Sequence, residues 1–145
     1  MKIVLTIAFC TLIGMLHAQE WQSNFDEAVD IAQKEDKPIV LVFSGSDWCA
    51  PCIRLKKKIF ESEEFKSYAS SHYVLYNADF PRKKKNQLPQ DKLGDNKILA
   101  EKYNSKGYFP LVVVLDKNQS VLGKTGFDAK ASPQKYIATL NGFVK

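Results

Sequence analysis

The spacing of apolar residues predicts a helix followed by a buried strand near the start of the chain. Four apolar residues recur at helical spacing behind a polar Ser23-Asn24 cap: Phe25, Ala28, Val29 and Ala32. The next apolar run, 39–43, is unbroken and β-branched, which is typical of a strand covered on both faces. We therefore expect an amphipathic helix and then a central strand with parallel pairing.

The rest of the chain continues the alternation of helices and strands. Further segments show helical or strand patterns: a helix over 49–60 with Pro51 in its first turn, a short helix from Ser62 to Tyr68, a strand over 73–76, a short helix over 96–103, a hairpin over 111–122, and a last helix after Ser132-Pro133 with Tyr136, Ile137, Leu140 and Phe143 inside. The segment 80–95 has no apolar period and contains the run Arg82-Lys83-Lys84-Lys85, so it is predicted to be a basic loop or insertion. This order predicts an α/β fold, a mixed sheet with helices on both faces.

The N-terminus has the pattern of a secretory signal peptide. Met1-Lys2 precedes an apolar run from Ile3 to Leu16, and Ala18 offers a cleavage point. The run is shorter than the roughly 20 residues of a spanning helix, although an uncleaved anchor stays an alternative. We therefore expect a signal peptide over 1–18, one domain over 19–145, and a periplasmic or secreted location.

Composition narrows the class of protein only slightly. The chain has 145 residues, 45% of them hydrophobic, and a formal net charge of +5. This length suits one globular domain, and the modest positive charge does not indicate nucleic-acid binding. We expect a monomer.

The cysteines carry the candidate chemistry. Removal of residues 1–18 leaves one pair, Cys49 and Cys52, in a compartment where disulfides persist. Cys49 lies where the buried strand ends and a helix begins. Unpaired N–H groups at the helix start stabilise its thiolate and so lower the pKa of its thiol from the ordinary value of about 8.5. Cys49 would attack a substrate disulfide, and Cys52 would resolve the mixed disulfide.

Plainer interpretations of the same residues stay open. The cysteine pair could be a structural disulfide or half of a zinc site, although His72 is the one histidine left beyond the signal segment. Trp48 could be a core residue, or a flat platform for substrate beside an exposed Cys49 thiol. The basic runs 54–58 and 82–85 could be solvated faces, or could meet anionic substrates or membranes.

From the strand 39–43 through Trp48-Cys49-Ala50-Pro51-Cys52 and Tyr108-Phe109-Pro110 to Gly126, the chain resembles the thioredoxin family, most closely its secreted branch. The resemblance implies that Pro110 is a cis-proline facing the cysteines and that the backbone of Phe109 pairs with a substrate strand. It implies a substrate surface of Trp48, Ala50, Pro51, Phe109 and Pro110. Ala50-Pro51 is more similar to the dipeptides of reductants than to those of oxidants.

One departure from the thioredoxin pattern concerns proton transfer. In thioredoxins a buried Asp lies six residues before the first cysteine, and here that position is Phe43. Its Lys partner would align near Leu75, so the buried ion pair is missing. Water or a nearby exposed group would have to take the proton of Cys52.

Together these features predict a thiol–disulfide oxidoreductase that reduces or isomerises disulfides of exported proteins. Its expected partners are cysteine-containing exported proteins and an electron donor, either in the membrane or of the thioredoxin type. It would need no metal or organic cofactor besides the Cys49–Cys52 disulfide. The alternative is a thioredoxin-fold binding or chaperone-like module, in which the disulfide is structural and the 80–95 loop recognises a partner.

Overall fold

A computed structural model describes residues 19–145 of the chain. The predicted signal segment 1–18 lies outside the described residues. No helix within 19–145 is both long and apolar enough to cross a bilayer.

Helices and strands alternate along this part of the chain. In chain order they are α1 (Phe25–Glu35), β1 (Ile39–Ser44), α2 (Ala50–Leu55), a π-helical turn (Lys56–Phe60), α3 (Glu63–His72), β2 (Val74–Asp79), a 3-10 turn (Lys84–Asn86), α4 (Gln90–Tyr103), β3 (Leu111–Leu115), β4 (Val121–Thr125) and α5 (Pro133–Phe143). The order agrees with the sequence pattern, apart from the turns and the helix limits discussed below.

The strands form one mixed sheet in the order β2-β1-β3-β4. β1 is central, as predicted. It runs parallel to β2, with Ile39 opposite Val74, and antiparallel to β3, with Ile39 opposite Leu115. The predicted parallel pairing therefore holds for one neighbour of β1 and not for the other. β3 and β4 form the predicted antiparallel hairpin.

Apolar side chains cover both faces of the sheet. Phe43 and Tyr76 point into a core shared with α1 and α4. Val40 and Val42 point the other way, into a core shared with α2, the π-helical turn, α3 and α5. Because successive residues of a strand face opposite sides, the continuous run of β1 supplies both cores at once. The predicted α/β sandwich is confirmed.

Polar caps fix the first and last helices where the sequence places them. The Asn24 side chain accepts a hydrogen bond from the Glu27 N–H at 2.8 Å, and Ser132 Oγ accepts one from the Lys135 N–H at 3.1 Å. Tyr136 is buried on the inner face of α5, as the periodicity predicts. These caps satisfy N–H groups that a helix start leaves without partners.

The prediction of a loop over 80–95 is wrong in its second half, because α4 begins at Gln90 rather than at Asn96. The periodicity fails to show this helix because its most buried inward position is an amide. Asn96 is fully buried, accepts from the Tyr76 hydroxyl at 2.7 Å, and donates to the Asp79 carbonyl at 3.1 Å. Polar contacts therefore replace part of the apolar stripe expected of an amphipathic helix.

The helix after β1 also differs from its prediction. The α-helix ends at Leu55, and residues Lys56–Phe60 form a π-helical turn whose Lys56 carbonyl accepts from the Glu61 N–H at 2.9 Å. α3 then runs beyond Tyr68 to His72. His72 is exposed at the end of that helix and stacks on Tyr68, with ring centroids 3.9 Å apart.

Candidate active site

The cysteine pair lies where β1 turns into α2, as predicted. The Gly45 carbonyl accepts from the Cys49 N–H at 2.9 Å, which closes the turn. Cys49 caps α2, and its Sγ accepts from the Cys52 N–H at 3.3 Å. The two sulfurs form a disulfide, with an S–S distance of 2.06 Å. The chain thus places the pair at a helix start, where N–H groups stabilise a thiolate.

Both cysteines are more buried than the sequence predicts. Cys49 is 4% exposed and Cys52 is 5% exposed, whereas we expected an exposed Cys49 thiol beside Trp48. The Cys49 sulfur is turned back over the helix start, where it is bonded to the sulfur of Cys52.

Trp48 is half-buried and fixed on two sides. Its Nε1–H donates to the Phe80 carbonyl at 2.7 Å, and its ring lies 5.4 Å from the ring of Phe109. A Cβ atom on Gly45 would lie 2.2 Å from the indole, so only glycine leaves room for this ring position. Trp48 is therefore a packing residue and also part of the surface beside Cys49, so features of both sequence interpretations, the core residue and the flat platform, are present.

The Phe109–Pro110 peptide bond is cis, as the resemblance implies. The loop before it is held by Asn104, a buried residue that the sequence analysis missed. Its Nδ2–H donates to the Tyr108 carbonyl at 2.8 Å, and its Oδ1 accepts from the Tyr108 N–H at 2.9 Å. The one sequence signal was an asparagine directly after a predicted helix end, which is common at helix ends generally.

A cavity of about 400 Å³ lies beneath Cys52. Pro110 and Cys52 line it on one side, and the sheet contributes Val42, Ser44 and Asn77. Further lining residues are the apolar Trp21 and Phe60 and the charged Lys56, Glu61 and Lys66. The cavity connects the resolving sulfur to polar groups at the end of the sheet.

The count of six residues before Cys49 predicted that Phe43 lies beneath the cysteine pair, but the structure places other residues there. Phe43 packs into the opposite core, whereas its neighbours Val42 and Ser44 line the cavity with Cys52. A shift of one residue along a strand exchanges the two faces, so the count selected the wrong side of β1. No buried ion pair lies there, because Val42, Ser44 and Asn77 are uncharged and the Lys56–Glu61 pair that lines the cavity is exposed.

A polar cluster closes the carboxyl ends of β1 and β2. Ser44 Oγ lies 2.8 Å from Asn77 Oδ1 and 3.2 Å from Asp79 Oδ1, so its single proton can be donated to either. Ser46 donates its N–H and its hydroxyl to the Asp79 carboxylate at 2.8 and 2.5 Å. These bonds fix the turn that carries the cysteines.

Asp47 fastens the segment after β2 to the active-site turn. Its carboxylate accepts from the Arg82 N–H at 3.0 Å, the Lys83 N–H at 2.9 Å and Asn86 Nδ2 at 3.0 Å. These hydrogen bonds lower the pKa of Asp47 from 3.8 to about 2, and the bond from the Arg82 N–H has the largest effect. The Arg82 guanidinium lies over the Trp48 ring, 3.8 Å from its centre.

Metal binding has little support in the described chain. Across residues 19–145, no group of three or more His, Cys, Asp or Glu side chains is arranged to hold a metal ion. His72 lies at the end of α3 and is engaged with Tyr68 rather than with the cysteines.

A cysteine pair at a strand-to-helix turn beside a cis-proline, on this sheet, defines a thioredoxin-like protein. A family model of thioredoxin-like proteins matches residues 20–117, so the chain belongs to that family. It is 37% identical over 109 residues to the disulfide bond reductase DsbH of Chlamydia pneumoniae, a match that covers 75% of this chain and 63% of that protein.

Two further relatives agree with this family. The chain is 26% identical over 88 residues to the thioredoxin-related protein DsbJ of Chlamydia pneumoniae, which covers 55% of this chain and 25% of that protein. A solved structure of a DsbH oxidoreductase matches with a TM-score of 0.79 and 31% identity, over 86% of this chain and 83% of that chain. The chain thus spans less than two thirds of the length of either relative found by sequence.

Proposed function

We propose that the protein is a thiol–disulfide oxidoreductase that reduces or isomerises disulfides of exported proteins. The observation that carries this is the Cys49–Cys52 disulfide at the start of α2, beside the cis peptide bond before Pro110. The similarity to the disulfide bond reductase DsbH favours reduction over isomerisation. The signal-like pattern of residues 1–18 supports a periplasmic or secreted location.

The reaction transfers two electrons from the reduced pair to a substrate disulfide. The Cys49 thiolate attacks one substrate sulfur, which forms a mixed disulfide and releases the other substrate sulfur as a thiolate. Cys52 then attacks Cys49 Sγ, which releases the second substrate thiol and forms the Cys49–Cys52 bond. The disulfide itself is the redox group, and no metal or organic cofactor takes part.

Cys52 must lose its proton before it can attack. The sheet side of the cavity, where Val42, Ser44 and Asn77 lie, has no charged side chain. Glu61 also lines the cavity, but its pairing with Lys56 lowers the pKa of its carboxyl group, which makes Glu61 a weaker base. We assign the proton to water in this cavity, which is large enough for several molecules at the ~30 Å³ that each occupies in the liquid. The polar atoms of Ser44 and Asn77 can hold that water.

Substrate would bind as an extended segment along the backbone of Phe109, next to Pro110. Trp48 contacts Phe109, and Ala50 and Pro51 lie at the start of α2 beside Cys49, so these residues would border the segment. Cysteine-containing exported proteins are the proposed substrates. A membrane protein or a thioredoxin-type partner would reduce the pair again, and the relatives DsbH and DsbJ favour such a redox partner.

The burial of both cysteines favours one alternative, a thioredoxin-fold binding module whose disulfide is structural. The reduction potential separates the two functions. We expect equilibration against dithiothreitol to give about −270 mV, as for thioredoxin, whereas about −180 mV would indicate isomerase work. A value below about −300 mV with slow exchange would mark a structural disulfide and refute the proposal.

A matched variant completes the test. Cys49→Ser removes the attacking sulfur and leaves the size of the side chain nearly unchanged, so it should abolish reduction of a peptide disulfide. Retained reduction by Cys49→Ser would contradict the assignment of the nucleophile.

A further inference from the structure

The segment after β2 has a defined position beside the active site. Asp47 accepts three hydrogen bonds from Arg82, Lys83 and Asn86. Trp48 Nε1–H donates to the Phe80 carbonyl at 2.7 Å. The turn that carries Cys49 therefore also determines where this basic segment lies.

The segment is strongly and uniformly charged. Residues 80–90 contain four cations, Arg82, Lys83, Lys84 and Lys85, and no acidic residue. All four are exposed, and none has a carboxylate within ion-pair distance among residues 19–145. We call these four residues the basic rim.

The other basic segment near the cysteines is different. Lys56 pairs with Glu61, and the Lys58 ammonium donates to the Ala129 carbonyl. Within the basic rim, Arg82 lies over the Trp48 ring and Lys83 acts electrostatically on Asp47, whereas Lys84 and Lys85 form no ion pair among residues 19–145. Because Asp47 fixes the segment, the adjacent cations stay close together and can attract an external anionic group.

We propose that the basic rim recognises acidic residues that flank the reacting cysteine of a protein substrate. The inference rests on the proposed function, because it places the substrate on the backbone of Phe109. The Phe109 ring lies 5.7 Å from the ring of Phe80, the residue that opens the basic segment. An extended segment rises about 3.3 Å per residue, so carboxylates a few residues from the cysteine come within reach of the rim.

A membrane surface would offer the same negative charge. The position of the rim favours a protein segment, because Arg82 covers the Trp48 ring directly beside Cys49. Charge at that position acts on whatever chain approaches the disulfide, and it acts over about 10 Å at 0.1 M salt.

The experiment compares three disulfide-linked, fluorescence-quenched peptide pairs as substrates of the reduced protein. One peptide has two Glu residues before its cysteine, one has them after it, and one has Gln at both places. Each turnover converts the protein dithiol and the peptide disulfide into the protein disulfide and two peptide thiols. We expect the second-order rate constant for the better acidic peptide to exceed that for the neutral one about tenfold in 20 mM salt. The advantage should fall to about twofold in 0.5 M salt.

Two double variants with equal loss of charge locate the effect. Lys84→Gln with Lys85→Gln should bring the acidic-to-neutral ratio close to about twofold. Lys34→Gln with Lys117→Gln removes two exposed lysines at the opposite end of the sheet, where Lys117 pairs with Asp36 after α1. That control should keep the wild-type ratio.

Each outcome decides the inference separately from the proposed function. Equal rates for the acidic and neutral peptides would overturn the rim as a recognition surface, while reduction that depends on Cys49 would still support the enzyme. A similar loss in both double variants would indicate net charge rather than the rim. Binding of the protein to phosphatidylglycerol vesicles without any peptide preference would assign the rim to membranes and overturn the proposal.

Discussion

The two cysteines have different surroundings, although they are three residues apart. The Cys49 side is a crowded outer surface of Trp48, Phe109 and Arg82. The Cys52 side is an inner cavity with uncharged Val42, Ser44 and Asn77 on the sheet wall. Cys49 thus borders the residues proposed to meet substrate and Cys52 borders the cavity, although the two residues are about equally buried, at 4% and 5% exposed.

This difference explains how a thioredoxin-like site can lack the buried ion pair. A carboxylate beneath Cys52 would have to be desolvated in an apolar core, which costs several kcal/mol unless it is well paired. Here the sheet wall of the cavity is uncharged, and the charged residues that line the cavity, Lys56, Glu61 and Lys66, come from the helical side, where Lys56 and Glu61 form an exposed ion pair. The two sides can therefore be altered one at a time.

The largest expected effect comes from the Cys52 side. Cys52→Ser should leave attack by Cys49 and release of the first peptide thiol intact, but release of the second peptide thiol should slow by more than about 100-fold. The mixed disulfide between Cys49 and the peptide should accumulate, and intact-protein mass spectrometry measures it. Cys49→Ser is the control, because it lacks the sulfur to which the attack on substrate is assigned and should form no such adduct. Normal release of both peptide thiols by Cys52→Ser would show that the two sulfurs do not divide the reaction in this way.

A smaller effect is expected from crowding on the Cys49 side. Gly45→Ala would place a Cβ 2.2 Å from the Trp48 ring, which must then move and lose its bond to the Phe80 carbonyl. Overpacking of this kind costs about 1–3 kcal/mol of unfolding free energy, which urea denaturation measures. The matched variant is Gly94→Ala in α4, where nothing lies within 4 Å of the new Cβ. It should be neutral or stabilising by up to about 1 kcal/mol, since glycine is a poor helix former. Equal loss in both variants would contradict the assigned packing of Trp48.

The smallest expected effect is on the pH dependence of the basic segment. The pKa of Asp47 is lowered to about 2 in the folded chain. Its ionised carboxylate therefore stabilises the hydrogen bonds to Arg82, Lys83 and Asn86, and this stabilisation is complete above the unfolded pKa near 4. The stabilisation should be lost as the pH falls towards 2. NMR shifts of the Arg82 and Lys83 amide protons should report the titration of Asp47 in the folded chain, with a midpoint near pH 2. Asp47→Asn should remove it, and a transition that persists in this variant would point to another carboxylate.

Much of the molecule was predictable because it depends on local patterns. The period of Phe25 to Ala32, the apolar run of β1 and the cap at Ser132 are properties of short segments, and the structure confirms each. The placement of Cys49 at a strand-to-helix turn follows from the same patterns. Burial of these faces drives the fold wherever the segments meet, so the α/β class could be predicted without coordinates.

Other features depend on contacts between distant segments. The start of α4 at Gln90 relies on Asn96, whose partners Tyr76 and Asp79 belong to β2. The role of Asn104 depends on the path of the chain into Pro110. No local period contains this information, because a polar residue gives the same signal whether it is solvated or buried with partners.

The sequence by itself determined the order of the main helices and strands and the placement of Cys49 and Cys52 at a helix start, but not the limits of α3 and α4 or the π-helical turn. Those outcomes follow from periodicity, turn chemistry and a spacing of three residues. Only the tertiary structure decided which face of β1 meets Cys52, and it chose Val42 and Ser44 over Phe43. It also set the basic rim against Trp48. The physical reason for the first is that a shift of one residue along a strand exchanges the two faces on which its side chains lie. The reason for the second is that the hydrogen bonds of Asp47 join segments that are far apart in the chain.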